Sequence, residues 1–133
     1  MTKKVVITGA IRTPIGKYIG SLKDIEAYKL AAMVLKEAAA RSGVEPDAVD
    51  EVILGQSYQN GENVNIARMA LLAAGWPVEI PGLTLDRRCL SGLDSIFTGL
   101  VRIQSGYADI IAAGGIESMS RAEFYVPGEF VKW

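Results

Sequence analysis

Hydrophobic and polar positions follow two different periods along this chain. Short apolar runs are typical of buried strands, and four occur, three of which are followed directly by a glycine. They are residues 5–8, residues 52–54, the run from Ile80 to Leu85, and residues 110–113. Pro81 and Gly82 near the start of the third run weaken the prediction of a strand there.

Between these runs, apolar residues recur at helical spacing in three segments. The first predicted helix spans residues 25–41, with Asp24 as its N-cap and Gly43 as its stop. The second is capped by Asn63 and ends at Gly75. The third runs from about Ser91 to Ser105, and we expect five apolar residues to face inward: Leu93, Ile96, Phe97, Leu100 and Ile103.

The alternation of four strands with three helices predicts an α/β fold, with a mostly parallel sheet, helices on both faces and right-handed crossovers. We assign this domain to residues 1–120. Residues 121–133 show no clear period and contain four aromatic residues, namely Phe124, Tyr125, Phe130 and Trp133. Such a tail either folds back onto its own domain or contacts a partner or further sequence.

Composition narrows the classes of protein to which the chain can belong. Its 133 residues are 50% hydrophobic and carry a net charge of −1, which fits one folded domain. Lysine and arginine are scattered, so no nucleic-acid surface is expected, and the apolar runs are too short for a membrane span. The N-terminus lacks signal-peptide features. One cysteine and no histidine leave almost no ligands for a soft metal, and we expect a cytoplasmic protein without a metal.

The single cysteine, Cys89, lies between the third predicted strand and the third predicted helix. A lone cysteine is most often a core residue. Here, however, it follows the carboxyl end of a parallel strand, where ligands bind, and precedes a helix N-terminus, which stabilises a thiolate. Arg87 and Arg88 would add to this effect if either pointed inward. The chain offers no evident base for the thiol, since it has no histidine.

Two further loops contain paired or closely spaced glycines. The segment from Gly9 to Gly16 only superficially resembles a phosphate-binding loop, because Pro14 replaces a glycine and removes an N–H group, so nucleotide binding is not expected. Gly114 and Gly115 follow the fourth predicted strand, at the same sheet edge as Cys89. They either relieve crowding or let the backbone approach a substrate, and we expect Glu117 to hydrogen-bond neighbouring groups.

Three segments together resemble the N-terminal part of a thiolase (acetyl-CoA C-acetyltransferase type): Arg12-Thr13-Pro14-Ile15-Gly16, Cys89-Leu90-Ser91-Gly92-Leu93 and Gly114-Gly115-Ile116-Glu117-Ser118-Met119-Ser120. The resemblance implies that Cys89 takes an acyl group from an acyl-CoA as a thioester, with its own N–H in an oxyanion hole. It also implies active-site loops containing Leu90, Ser91, Gly92, Gly115, Glu117 and Met119. Coenzyme A is then a substrate, and no bound cofactor is expected. Leu90 stands where the family usually has a small residue, which would narrow the pocket.

The family's second half carries an Asn-Glu-x-Phe segment, a Gly-His-Pro histidine and a Cys-x-Gly cysteine, and none of these occurs here. The resemblance therefore implies a complementary larger chain that supplies them. This chain would be either a natural subunit of a split, hetero-oligomeric enzyme or a truncated product, inactive alone, with a self-contact through Ile80 to Leu85. Two alternatives remain: a non-catalytic structural subunit with Cys89 in its core, and an acyltransferase of the related ketoacyl synthase type.

Overall fold

The computed structural model describes residues 4–131. Its helices are α1 (Ala27–Ser42), α2 (Ile66–Ala73) and α3 (Ser91–Gln104), and its strands are β1 (Glu51–Gly55), β2 (Gly82–Leu85) and β3 (Ile111–Gly115). One-turn 3₁₀ helices lie at Pro46–Ala48, Met119–Arg121 and Gly128–Phe130. The helices within this range fall short of the combined length and hydrophobicity that a membrane span needs.

The three strands form one parallel sheet in the order β2-β1-β3. Val52 of β1 lies opposite Gly82 on one side and Ala112 on the other. All five residues of β1 are buried, as expected for the central strand of a sheet that is covered on both faces. Three of the four predicted strands are therefore confirmed, with small shifts at their ends.

The predicted first strand, residues 5–8, is wrong. These residues are in no strand, and Val6 and Ile7 are 74% and 76% exposed. Within residues 4–131, β2 and β3 occupy the two sides of β1, and no ladder includes the 5–8 segment. Gly9 instead turns with a φ of 62°, close against the end of α1, where an ideal Cβ would be 2.6 Å from the Ala38 carbonyl oxygen. β-Branched residues favour a strand only where a partner strand is present.

Helices cover both faces of the sheet, which confirms the predicted fold class. On one face, α1 and α2 pack together over β1 and form a core that includes Leu35, Leu54 and Leu71. Glycine contacts place α3 on the other face: an ideal Cβ on Gly82 would meet α2, whereas one on Gly55 would meet the start of α3. The crossover from β1 to β2 runs in one direction across the sheet, and the crossover from β2 to β3 runs back past β1 in the other. Two crossovers of the same hand that run in opposite directions put their helices on opposite faces.

The face that α3 turns toward the sheet differs from the prediction. Ser91, Ser95 and Gly99 are buried, whereas Leu93 and Phe97 are 66% and 59% exposed. Ile96 is also exposed, and Leu100 and Ile103 are half-buried. The cause is the short distance between α3 and β3, since an ideal Cβ on Gly99 would lie 3.3 Å from the Ile111 side chain. Only small residues fit in this contact, so the large apolar residues turn outward.

An ion pair also fastens α3 to the sheet. Arg102, in the last turn of α3, donates from its guanidinium to the carboxylate of Glu51, a buried residue of β1. Arg102 also lies 5.2 Å from the centre of the Tyr107 ring. Breaking a buried pair of this kind leaves one charge uncompensated, so the pair fixes how α3 lies across β1.

Two predicted N-caps are wrong by two residues each. α1 begins at Ala27 with Glu26 rather than Asp24 at its N-cap, and Glu26 makes no side-chain cap bond. Its carboxylate instead accepts a hydrogen bond from Lys29, which lowers the pKa of Glu26 and raises the pKa of Lys29. α2 is capped by Asn65, because Asn63 is buried in the preceding loop, where it donates to Asn60.

Replacing Asn65 tests the observed cap of α2. Its Oδ1 accepts hydrogen bonds from the Arg68 N–H at 3.1 Å and from the Thr84 hydroxyl at 2.8 Å. Its Nδ2 donates to the Gly82 carbonyl at 2.9 Å, so Asn65 ties α2 to β2. We expect Asn65→Ala to lower the free energy of unfolding by about 1–2 kcal/mol in urea denaturation. Lys36→Ala, at an exposed position of α1, is the control and should change it by less than about 0.5 kcal/mol.

The aromatic tail lies largely outside the core. Phe124, Tyr125 and Phe130 are 96%, 73% and 70% exposed, whereas Trp133 lies outside the described residues. The Tyr125 hydroxyl donates to the Gln59 carbonyl, so the tail is attached by polar contacts. These three aromatic side chains therefore do not fold back onto an apolar surface of the domain. The division of the chain at residue 120 stays a prediction.

Candidate active site at the carboxyl edge of the sheet

Cys89 lies in the short connection between β2, which ends at Leu85, and α3, which begins at Ser91. Its side chain is a free thiol in an exposed residue. Leu90 is the N-cap of α3, so the thiol is one residue before the N-cap and two residues before the first helical residue, Ser91. Backbone N–H groups of a first helical turn have no partner within the helix and favour negative charge nearby. The structure thus places Cys89 where the sequence puts it, at a strand's carboxyl end and a helix's N-terminus.

The connection before α3 is held in a strained turn. Arg88 has a φ of 50°, in the left-handed region that side chains other than glycine rarely adopt. Its N–H donates to the Asp86 carboxylate at 2.9 Å. The buried hydroxyl of Ser91 accepts from the Arg87 N–H at 2.8 Å and donates to the Arg88 carbonyl at 2.6 Å. One serine side chain therefore closes the turn that presents Cys89.

The two arginines before Cys89 each have a carboxylate partner. Arg87 lies 3.3 Å from Asp94 in the first turn of α3, and Arg88 lies 3.4 Å from Asp86. Both side chains are well exposed, at 64% and 73%. The expectation that either points inward to assist the thiol therefore has no support, because each positive charge is paired and hydrated.

The start of α3 is wedged against the ends of two strands. An ideal Cβ on Gly55, the last residue of β1, would lie 2.3 Å from the Ser91 carbonyl carbon and 2.6 Å from the Gly92 nitrogen. An ideal Cβ on Gly115, the last residue of β3, would lie 2.9 Å from the Gly92 Cα. Glycine is therefore required at both strand ends. These contacts place Gly92 and Gly115 together beside the Cys89 turn.

Glu117 braces the loops at this edge. Its carboxylate accepts hydrogen bonds from the backbone N–H groups of Ser57 at 2.9 Å and Tyr58 at 3.3 Å. The Ser57 carbonyl in turn accepts from the Arg88 guanidinium at 2.9 Å. The loops that follow β1, β2 and β3 are thus connected through Ser57, which bonds to both Glu117 and Arg88. Glu117 hydrogen-bonds neighbouring groups, as the sequence suggests.

Met119 belongs to a neighbouring cleft. It is 49% exposed and lines an open space of about 480 Å³ between residues 115–120 and the loop that contains Arg12 and Lys17. Ser120 joins the two sides, since its hydroxyl accepts from the Ile19 N–H at 2.9 Å. Further along, Arg121 makes two hydrogen bonds to the Glu62 carboxylate, which raise the pKa of the guanidinium.

Sequence reasoning missed three residues that shape this edge. In the sequence Gly55 only marks the end of a predicted strand, whereas in the structure the backbone of α3 passes directly over it. Ser57 and Asp86 hold Arg88 through a carbonyl and a carboxylate, respectively. Asp86 precedes Arg88 by two residues, a spacing at which aspartate side chains commonly accept from the backbone, so that contact had a sequence signal. The Ser57 contact joins positions 31 residues apart and had none.

The arrangement can hold a nucleophile but supplies little else for acyl transfer. An exposed thiol lies just before the N-terminus of a helix, where the helix dipole favours negative charge. The sequence has no histidine, and the described residues hold no cluster of three or more cysteine, aspartate or glutamate side chains that could bind a metal.

Comparisons with known proteins agree on one family. A family model described as thiolase, N-terminal domain, matches residues 5–132. Over 131 residues the chain is 50% identical to a beta-ketoadipyl-CoA thiolase from Pseudomonas aeruginosa, which covers 97% of the chain and 32% of that protein. It is 42% identical over 127 residues to an acetyl-CoA acetyltransferase from Syntrophomonas wolfei, with 96% and 32% covered.

A solved structure gives the same result in three dimensions. The crystal structure of the Bacillus anthracis acetyl-CoA acetyltransferase superimposes with a TM-score of 0.93 and 43% identity, over 97% of this chain and 33% of that one. The chain thus spans about a third of the length of the relatives it matches.

Proposed function

Since the chain belongs to the thiolase family, we propose that it supplies the nucleophilic part of an active site that transfers acyl groups between CoA thioesters. The observation that carries the proposal is the exposed thiol of Cys89 at the carboxyl edge of a parallel sheet and the start of α3. The named relatives are thiolases and acetyl-CoA acetyltransferases, which supports this chemistry.

In the proposed reaction, the Cys89 thiolate attacks the keto carbon of a 3-ketoacyl-CoA. A sulfur–carbon bond forms, and the tetrahedral oxyanion receives hydrogen bonds from backbone N–H groups at the start of α3. The bond between the keto carbon and the α-carbon then breaks, and the departing acetyl-CoA carbanion takes up a proton. The thiolate of a second coenzyme A attacks the acyl-Cys89 thioester, which releases a shortened acyl-CoA and regenerates the Cys89 thiolate. Condensation is the reverse sequence.

The proton transfers of this reaction need a base and an acid that this chain does not contain. A base must deprotonate the Cys89 and coenzyme A thiols, and an acid must protonate the carbanion. With no histidine and only one cysteine in the sequence, both groups come from the complementary two thirds of the fold. That part lies either on a separate, larger chain or on the same polypeptide.

The exposed face of α3 is the docking surface that we assign to the complementary part. Leu90, Leu93, Phe97 and Val101 are 58%, 66%, 59% and 47% exposed and recur at intervals of three or four residues. They form one apolar stripe along α3, and that stripe begins next to Cys89. Such a surface is costly in water and typical of an interface. A partner that covers the stripe also comes within reach of the thiol.

The other readings have less support. A structural subunit with Cys89 in its core conflicts with the exposure of that residue. A ketoacyl synthase is not favoured by the match to the thiolase N-terminal domain or by the names of the relatives above. A self-contact through Ile80 to Leu85 stays part of the proposal, since β2 pairs on one side only within the described residues.

A chimera tests the proposed function directly. These residues would replace the matching third of the Pseudomonas aeruginosa beta-ketoadipyl-CoA thiolase, to which they are 50% identical. We expect the purified chimera to cleave a 3-ketoacyl-CoA in the presence of coenzyme A, as followed by loss of the substrate's absorbance. The chain by itself should show no measurable thiolysis. A folded chimera without activity would contradict the proposal.

Charged substitutions on α3 test the docking surface. We expect Phe97→Lys to change the free energy of unfolding of the separate chain by less than about 0.5 kcal/mol, because Phe97 is exposed there. In the chimera the same change should weaken the packing of α3 against the complementary part of the fold. Activity should fall at least about tenfold, because the change buries an unpaired charge. Met33→Lys, at a 59% exposed position of α1, is the matched control and should leave the chimera active. Equal effects of the two changes would rule out the assigned surface.

A further inference from the structure

We propose that Ser91 is a positioning residue, whose buried hydroxyl holds Arg88 in its left-handed conformation and thereby keeps Cys89 at the start of α3. This inference deepens the proposed function, on which the catalytic meaning of Cys89 rests. It concerns a contact that the sequence could not reveal, because the resemblance places Ser91 in an active-site loop without giving its hydrogen bonds.

The first support is the set of bonds that the hydroxyl makes. Ser91 is 3% exposed, and its Oγ bridges two consecutive backbone groups, the N–H of Arg87 and the carbonyl of Arg88. The Ser91 N–H also donates to that carbonyl, at 2.9 Å. Ser91 therefore holds the peptide group before Arg87 and the peptide group after Arg88. Moving either of these groups breaks a partly buried hydrogen bond to the Ser91 hydroxyl, which is costly.

The second support is the conformation that these bonds hold. A residue with a Cβ is disfavoured at positive φ, so Arg88 would leave its φ of 50° if nothing held it. Asp86 and Ser57 also contact Arg88, but through an exposed backbone N–H and an exposed guanidinium. Exposed contacts of this kind compete with water and contribute little. The hydrogen bonds of the Ser91 hydroxyl are partly buried and are therefore less exposed to water than these two contacts.

The third support is that Ser91 itself cannot move. Its carbonyl carbon and oxygen would be 2.3 and 2.4 Å from an ideal Cβ on Gly55, so the first turn of α3 lies directly on the end of β1. The helix is therefore a fixed base, and the hydroxyl transfers that fixed position to the turn. When the hydroxyl is removed, we expect the turn to leave the helix while the helix keeps its place on the sheet.

The consequence for Cys89 follows from its place in the turn. Cys89 directly follows Arg88 and precedes the N-cap Leu90, so the φ of Arg88 sets the direction of the backbone that carries the exposed thiol. If Arg88 changes to a negative φ, the backbone at Cys89 is redirected and the thiol leaves its exposed position for part of the time. The thiol then reacts more slowly with an electrophile, without any change in the fold of the domain.

The test measures the rate at which iodoacetamide alkylates Cys89 in the full chain at pH 7, followed by mass spectrometry. We expect Ser91→Ala to slow alkylation about three- to fivefold. The matched control is Ser95→Ala, which removes another fully buried hydroxyl one turn later, where Oγ donates to the Gly92 and Gly114 carbonyls. It should lower the urea midpoint to a similar degree but keep the alkylation rate within about twofold of wild type.

A second substitution separates positioning from general destabilisation. Glycine takes positive φ without a Cβ penalty, so Arg88→Gly added to Ser91→Ala should restore most of the lost alkylation rate. A structural role alone would predict no rescue. The proposal is overturned by wild-type alkylation in Ser91→Ala, by equal slowing in Ser95→Ala, or by failure of Arg88→Gly to rescue. Because no thiolysis is measured, an inactive chimera would refute the proposed function and leave this result standing.

Discussion

Replacing Cys89 by alanine is expected to abolish acyl transfer in the chimera. The thiol is the only cysteine in these 133 residues and lies exposed at the start of α3. Removing the nucleophile leaves only binding and the oxyanion contacts, and comparable nucleophile deletions lower kcat by more than about 10³-fold. We expect Cys89→Ala to lower kcat for thiolysis by at least about that factor, measured with saturating 3-ketoacyl-CoA and coenzyme A.

A covalent readout strengthens this prediction. Incubation of the chimera with acetyl-CoA should add one acetyl group to the peptide that contains Cys89, and the Cys89→Ala variant should not acquire it there. Ser105→Ala, an exposed serine just after α3, is the control and should keep full activity and labelling. If the Cys89→Ala chimera kept more than about a tenth of its activity, the nucleophile would have to be another residue.

Replacing Gly55 by alanine is expected to cause the largest loss of stability in the chain. The added Cβ would lie 2.3 Å from the Ser91 carbonyl carbon, 2.4 Å from its oxygen and 2.6 Å from the Gly92 nitrogen. All three are backbone atoms, so no side-chain rotation relieves the clash. Either α3 or the end of β1 must move, and we expect the free energy of unfolding to fall by about 3 kcal/mol or more in urea denaturation.

The Gly55→Ala change should also reach the thiol. Because α3 carries the turn with Cys89, a displaced helix should slow alkylation by iodoacetamide under conditions in which the domain is still folded. Gly128→Ala is the matched control, since an ideal Cβ at Gly128 meets no atom within 4 Å and its φ is not positive. It should change stability by less than about 0.5 kcal/mol. A Gly55→Ala protein as stable as the control would mean that α3 does not lie so close to β1.

The order of elements was predictable because it depends on local patterns. Apolar runs predict the three strands β1, β2 and β3. Apolar residues at helical spacing predict all three helices. The position of Cys89 between β2 and α3 follows in the same way. The thiolase resemblance rests on three short sequence motifs, and the family match over residues 5–132 confirms it.

The errors have one physical cause, which is that burial depends on what a segment meets. Periodicity places Leu93 and Phe97 on an apolar face of α3 but does not say what packs against that face. In the structure the sheet packs against the opposite face, which carries the small residues Ser95 and Gly99. Likewise, residues 5–8 have strand-forming side chains but no ladder partner among the described residues.

The sequence by itself determined the fold class, the family and the residue that we propose as nucleophile, because each is written in short, contiguous patterns. Only the tertiary structure decided how that residue is held. Gly55 and Ser57 lie at and just after the end of β1, Glu117 lies after β3, and both segments meet the Cys89 turn only when three parallel strands end at one edge. Contacts between segments far apart in the chain leave no local signal. The left-handed conformation of Arg88 and the hydrogen bond from the Ser91 hydroxyl to its carbonyl were visible only in three dimensions.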